Sequence, residues 1–211
     1  MNKRTLLACV ATAIITAALA AQAQVPGVNS TLNAVFNLVY DNSTMKPTYS
    51  STMTATTATT PGDVCVLKGS ATKTVKVRRV IISGKAATVV TEPVYVIKRS
   101  TMTTTGTGTL PVITAYDSTN SLTNSTTNTA TAVVEVFTAN PTPGTFVGEL
   151  LSAALQYANT TTGLGATYIA TFGQLGSPVV LRGIAQNIAV NLGGITVASG
   201  ELTCTFEWTE E

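Results

Sequence analysis

The stretch GELTCTFEWTEE at residues 200–211 alternates without a break. Leu202, Cys204, Phe206 and Trp208 fall on one parity; Thr203, Thr205, Glu207 and Thr209 fall on the other. Side chains of an extended strand point to opposite faces in turn, so the pattern predicts a strand with one buried and one wetted face. Glu210 and Glu211 then read as the point where that strand runs out into water. Short segments with strand-like patterning recur upstream, at Val64–Leu67, Thr74–Ser83, Val94–Lys98, Ala132–Thr138, Val179–Leu181, Asn187–Leu192 and Ile195–Ala198. In the second of these the apolar parity shifts through Val80, Ile81 and Ile82, as at a bulge or where both faces become buried. Gly69-Ser70, Gly84-Lys85 and the NPTPGT run at 140–145 punctuate the segments, and Gly193-Gly194 and Ser199-Gly200 read as hairpin turns.

Short strands at close spacing predict an all-β fold, an antiparallel β-sandwich of jelly-roll-like kind. Threonine, about a fifth of the chain, suits it, being β-branched and at home on the polar face of a strand. Charged residues are only 10% of the chain. One segment reads differently. In FVGELLSAALQYA at 146–158, Val147, Leu150, Leu151, Ala154 and Leu155 match a 3.6-residue period and predict a short helix, with a strand as the competing reading.

The N-terminal segment 1–23 has a basic start at Lys3 and Arg4, an apolar run from Leu6 to Ala20, and Ala21-Gln22-Ala23 as a small-x-small cleavage pattern. It predicts a signal peptide, or else an N-terminal extension helix that stays on the chain. Nothing after it is long and apolar enough to span a membrane. Residues 24–62 form a Thr/Ser/Asn-rich extended segment, and 63–211 the β-sandwich domain. Without Lys3 and Arg4 the remainder is neutral, which gives no argument for nucleic acid as a partner. The charges are segregated all the same. Lys68, Lys73, Lys76, Arg78, Arg79, Lys85, Lys98 and Arg99 lie in one segment, and Glu201, Glu207, Glu210 and Glu211 at the end. Lys73, Lys76, Arg78, Arg79, Lys98 and Arg99 are the candidate basic interaction segment, able to steer one subunit toward another; solvated strand faces are the plainer reading.

The chain contains no histidine. That removes Ser-His-Asp and Cys-His catalysis, His-ligated metals and the commonest general base. No phosphate-binding glycine loop is present, and no cofactor is implied. Asp63, Glu92, Asp117, Glu135 and Glu149 stand apart in the sequence and read as solvated charges rather than a glycosidase pair. Cys65 and Cys204, both in strand-like settings, are core residues or, in an exported chain, one disulfide.

In order, GSATKTVKVRRVIISG, VIKRST, AYDSTN, FTANPTPGT with VGEL, FGQLGSPVVLRGIAQNIAVNLGG and EWTEE resemble a group of tailed-bacteriophage virion-associated structural proteins. The resemblance covers about residues 64–211. It implies a non-enzymatic, β-rich component of a phage particle, of head-decoration, fibre or tail-accessory type. Its implied partners are further copies of itself, as a homo-oligomer, and other virion subunits. The N-terminal segment departs from that group, because phage structural proteins assemble in the cytoplasm. It leaves a second reading open: an exported, extracellular surface or pilus-like protein, with residues 43–60 as a strand donated to a neighbour.

Overall fold

The computed structural model describes residues 46–56, 62–103, 108–116, 129–159, 166–173, 177–197 and 199–211. These are all-β, with no helix among them. The signal peptide or extension helix expected at 1–23 lies outside the described residues, as does most of 24–62. The strands are β1 (Thr48–Thr56), β2 (Asp63–Lys68), β3 (Thr74–Ala86), β4 (Val90–Arg99), β5 (Gly108–Thr109), β6 (Thr114–Ala115), β7 (Val133–Phe137), β8 (Phe146–Asn159), β9 (Thr167–Thr171), β10 (Val179–Arg182), β11 (Asn187–Asn191) and β12 (Glu201–Glu210). They form one curled mixed sheet, a half-barrel, in the order β5-β7-β2-β11-β4-β8-β3-β12-β1-β6. β9 and β10 lie in succession on one edge of β3.

β12 is the predicted strand, and its alternation is the reason for its place. Leu202, Cys204, Phe206 and Trp208 are fully buried. β1 pairs with one edge of β12 and β3 with the other, over almost its whole length. Burying a large apolar side chain contributes about 1.5–3 kcal/mol, so this one face is a major share of the core. Tyr49 of β1 stacks on Trp208, with ring centroids 5.8 Å apart. The run Val64–Leu67 is buried on both faces, one against the main core and the other against Phe137 and Ala189. That explains its continuous apolar sequence. β1 falls within the segment 24–62 but is a full member of the sheet.

Four local expectations need correction. First, 146–158 is not a helix but most of β8, a 14-residue strand. Val96 opposes Leu151 and Ile97 opposes Glu149, so Leu150 is an extra residue; Val147 is another, between Gly148 and Phe146. Two bulges three residues apart break the two-residue rhythm and produce an apolar spacing that imitates a helix. Second, the sheet is not purely antiparallel. β8 outlasts its antiparallel pairing with β4 and runs on beside the end of β3, where Lys85 and Ala86 meet Ala158 and Asn159 in parallel. β3 and β4 are joined by the three residues 87–89, so a strand wedged between them and antiparallel to one is parallel to the other. Gly84 permits the wedge: a Cβ there would lie 2.6 Å from the Tyr157 ring.

Third, the parity shift in β3 comes earlier than Val80–Ile82. Glu207 opposes Arg79 and Trp208 opposes Val77, so the bulged residue is Arg78, and the buried parity passes from Val75 and Val77 to Val80 and Ile82. Fourth, Gly193 and Gly194 do adopt positive φ (65° and 87°), but they close no hairpin. Residues 195–197 form no strand, and β11 pairs with β2 and β4 rather than β12. Among the described residues no strand pairs with its neighbour in sequence.

The ends of the curl are tied together. β5 lies at one end of the strand order, β6 at the other, and only residues 110–113 separate them. Five extended Cα steps span about 18 Å at most, so the sheet must bend back on itself by that point. Cys65 of β2 and Cys204 of β12 are bonded across the core, with Cα atoms 6.6 Å apart.

If β12 carries the core, Phe206→Ala should cost about 3–5 kcal/mol. Denaturant unfolding of the full chain measures it. A loss under 1 kcal/mol, within the range of ordinary surface substitutions, would contradict the assignment.

Candidate functional site

β3 and β12 bring the basic segment and the acidic end of the chain into register. Arg79 lies directly opposite Glu207, and Lys85 opposite Glu201. Arg79 Nε and Nη2 donate to the two Glu207 oxygens at 2.9 and 2.5 Å. Lys85 reaches Glu201 at 2.7 Å, Lys76 reaches Glu211 at 2.6 Å, and Lys73 reaches Glu210 at 3.3 Å. Of these, Lys85–Glu201 is exposed on both sides, and a pair of that kind contributes at most about 1 kcal/mol. Directly opposed charges do discriminate between registers, however, because a slip by one residue would set them on opposite faces. The acids that meet the basic segment are thus the chain's own.

The remaining residues of that segment divide three ways. Lys98 Nζ donates to the Val180 carbonyl at 2.9 Å, which ties β4 to β10. Arg99 is buried. Arg78 is exposed on its bulge and has no carboxylate partner among the described residues.

Arg99 anchors a closed polar cluster. Its Nε and Nη2 donate to the two oxygens of Asp63, both at 2.7 Å, and its Nη1 donates to the Gly144 carbonyl at 2.9 Å. Thr103 Oγ1 donates to Asp63 at 3.0 Å and Asn191 Nδ2 at 2.7 Å. The Asp63 side chain is wholly buried and that of Arg99 is 7% exposed. A buried carboxylate with four donors has little left to offer a substrate, so the cluster reads as a staple between β2, β4, β11 and the 141–145 connection. Of the other acids singled out from sequence, Glu135 pairs with Lys68, Glu149 is exposed on β8, Glu92 is half-buried on β4, and Asp117 lies outside the described residues. Among the described residues no three His, Cys, Asp or Glu side chains converge as metal ligands.

Sequence reasoning misplaced two acids: Asp63, read as a solvated charge but buried in the Arg99 cluster, and Glu210. Glu210 does not end the strand in water: its side chain is fully buried. It accepts from the Thr131 amide at 3.0 Å, the Ala132 amide at 2.9 Å, the Thr131 hydroxyl at 2.8 Å and the Trp208 indole at 3.1 Å. Burial alone would raise its pKa, but these hydrogen bonds outweigh it and hold the carboxyl below its ordinary value of 4.5. Apart from the Trp208 indole, the donors lie almost 80 residues upstream, so no local pattern announces them. Tyr157 is another buried group, its hydroxyl without a hydrogen-bond partner among the described residues. Burial, with the Glu92 charge second, pushes it up to about 12, so it stays a neutral phenol at physiological pH.

The outer face of the sheet is largely hydroxyls. Thr52 and Thr205 are hydrogen-bonded across β1 and β12 at 2.8 Å, and Thr54 and Thr203 at 3.1 Å. Against this, the segment between β5 and β6 exposes Leu110 (72%) and Val112 (82%). Its backbone is fixed at both ends. Gly108 and Thr109 pair with Phe137 and Val136, Thr114 and Ala115 pair with Ser50 and Tyr49, and Ser51 Oγ donates to the Val112 carbonyl at 2.9 Å. Comparison with protein-family models, curated proteins and solved structures returns no match to this chain.

Two outcomes test these assignments. Asp63→Ala leaves Arg99 buried and unpaired, and should cost about 3–5 kcal/mol in chemical denaturation; a cost near zero would show the cluster to be solvated. Glu210 has a depressed folded-state pKa, so its contribution is complete above 4.5 and is lost as pH falls through the folded value. Relative to wild type, Glu210→Gln should lower stability near neutral pH and flatten the acid limb below pH 4.5, read from thermal midpoints across pH.

Proposed function

We propose that the protein is a non-enzymatic structural component of a phage particle, of decoration, fibre or tail-accessory type, acting by subunit packing. The observation that carries this reading is the Leu110–Val112 segment. Its large apolar side chains face solvent on a backbone fixed at both ends, so a partner pays little ordering entropy on docking there. A half-barrel flattened into a jelly-roll-like sandwich, studded with threonine and closed by a cross-core disulfide, suits a durable outer surface. A disulfide favours an oxidising setting, which fits a mature particle outside the cell. The basic segment does not serve as a steering patch in this reading, since most of it is already paired within the chain.

The exported, pilus-like alternative finds less support. It needs residues 43–60 for a neighbour, whereas Thr48–Thr56 pairs with β12 of its own chain over nine residues. We therefore favour self-association, with other virion subunits as further partners.

Light scattering coupled to size exclusion tests this on the full chain. The wild type is expected to run as a homo-oligomer, and the pair Leu110→Ser with Val112→Ser as a monomer with a nearly unchanged melting temperature. A wild type that stays monomeric at high concentration would overturn the packing role assigned to this segment.

A further inference from the structure

The bulge on β3 has a second effect, on the outer face. Residues adjacent along a strand normally point to opposite faces. Arg78, however, has no residue opposite it on β12, and on the other edge of β3 it falls between two ladders: β10 ends its pairing at Val77 and β9 begins at Arg79. Its carbonyl accepts the Phe172 amide there, at 2.8 Å. As a result Arg78 and Arg79 line one open cleft of about 230 Å³ together with Thr171, Phe172 and Glu207. Bulges recur beside binding sites because they re-aim a side chain in this way.

The groups in the cleft are unevenly committed. Arg79 holds Glu207 in a two-point ion pair. The Tyr116 hydroxyl is within hydrogen-bonding reach of Glu207, Arg79 and Ser50. Arg79 and Tyr116 together outweigh the effect of burial and keep the Glu207 carboxyl ionised below its usual range. The arginine next door, exposed and without a carboxylate partner among the described residues, is left with a planar fork of donors.

The geometry points to a binding site for a carboxylated sugar ring, such as a uronic acid residue of a polysaccharide. Two guanidinium groups and one carboxylate leave a single positive charge, which a monoanion neutralises and a phosphate dianion over-compensates. Arg78 takes the sugar carboxylate through parallel N–H donors. Phe172 supplies an apolar wall for the C–H face of the ring. Glu207 and Thr171 meet its hydroxyls. The volume is below that of sites for drug-sized ligands and suits one ring rather than several. The lining of the cleft contains neither Leu110 nor Val112, and the site does not depend on the packing role proposed for that segment.

The test is an NMR titration of the full chain with three probes: sodium glucuronate, glucose and sodium sulfate. Glucuronate is expected to shift the Arg78 side-chain N–H and Phe172 amide signals saturably, while glucose and sulfate bind at least tenfold more weakly. Arg78→Gln should weaken glucuronate at least tenfold with an unchanged melting temperature, since that side chain is exposed and unpaired. Equal binding of sulfate would reduce the cleft to a general anion site and overturn the proposal. So would equal binding of glucose, or no saturable shift with any probe. The wild-type arms decide the matter even if the variant folds poorly.

Discussion

The fold depends on a pairing between distant parts of the chain, β12 with β1 on one edge and β3 on the other. Neither neighbour is near β12 in sequence. The ladder with β1 closes a loop of well over a hundred residues, and the entropic cost of such closure has to be offset by what the pairing buries. Leu202, Cys204, Phe206 and Trp208 supply that burial from one strand face. The same strand then fixes much else: the disulfide through Cys204, the order of the ion pairs through Glu201 and Glu207, and the 131–132 turn through Glu210.

The buried polar groups extend the same logic. A curled sheet in which no described strand pairs with its neighbour in sequence needs something to hold its connections in place. Asp63 and Arg99 do this on the β2–β11–β4 side, and Glu210 does it at the start of β7. In each case one carboxylate collects several donors from separate segments. Desolvating the charge is costly, and the hydrogen bonds offset that cost only when all the segments are correctly docked. Such groups therefore add specificity for one arrangement of loops more than raw stability.

What was legible in the sequence follows from this. Much of strand identity was, because alternation is local: the buried face of β12 and the continuous apolar run of β2 could be read residue by residue, although the strand-like residues 195–197 form none. Topology was not, because a turn signal such as Gly193-Gly194 reports backbone conformation and says nothing about which strand comes next to which. Bulges were the other blind spot. At Leu150 and Val147 they converted a strand into a helical spacing, and at Arg78 they moved a parity change away from where the apolar residues suggested it. A bulge is a property of two strands together, and one strand's sequence holds half of the information. The charge pattern was visible as segregation, readable as a steering patch or as solvated strand faces, but its meaning required the β3–β12 register, which resolved it into an intramolecular ladder.

That ladder also explains why one arginine stands out. A row of opposed charges on two antiparallel strands consumes cations and acids in equal number, so an extra residue on one strand leaves one charge over. The bulge that re-phases the β3 core from Val77 to Val80 is the same event that leaves Arg78 over. Core packing and surface chemistry are here two consequences of a single inserted residue. Removing the bulge to recover an unpaired cation's worth of surface charge would drive Val80 and Ile82 out of the core. The extra position is therefore kept by the interior, whatever side chain occupies it, and the neighbouring Phe172, Thr171 and Arg79–Glu207 pair give an arginine there a chemical use.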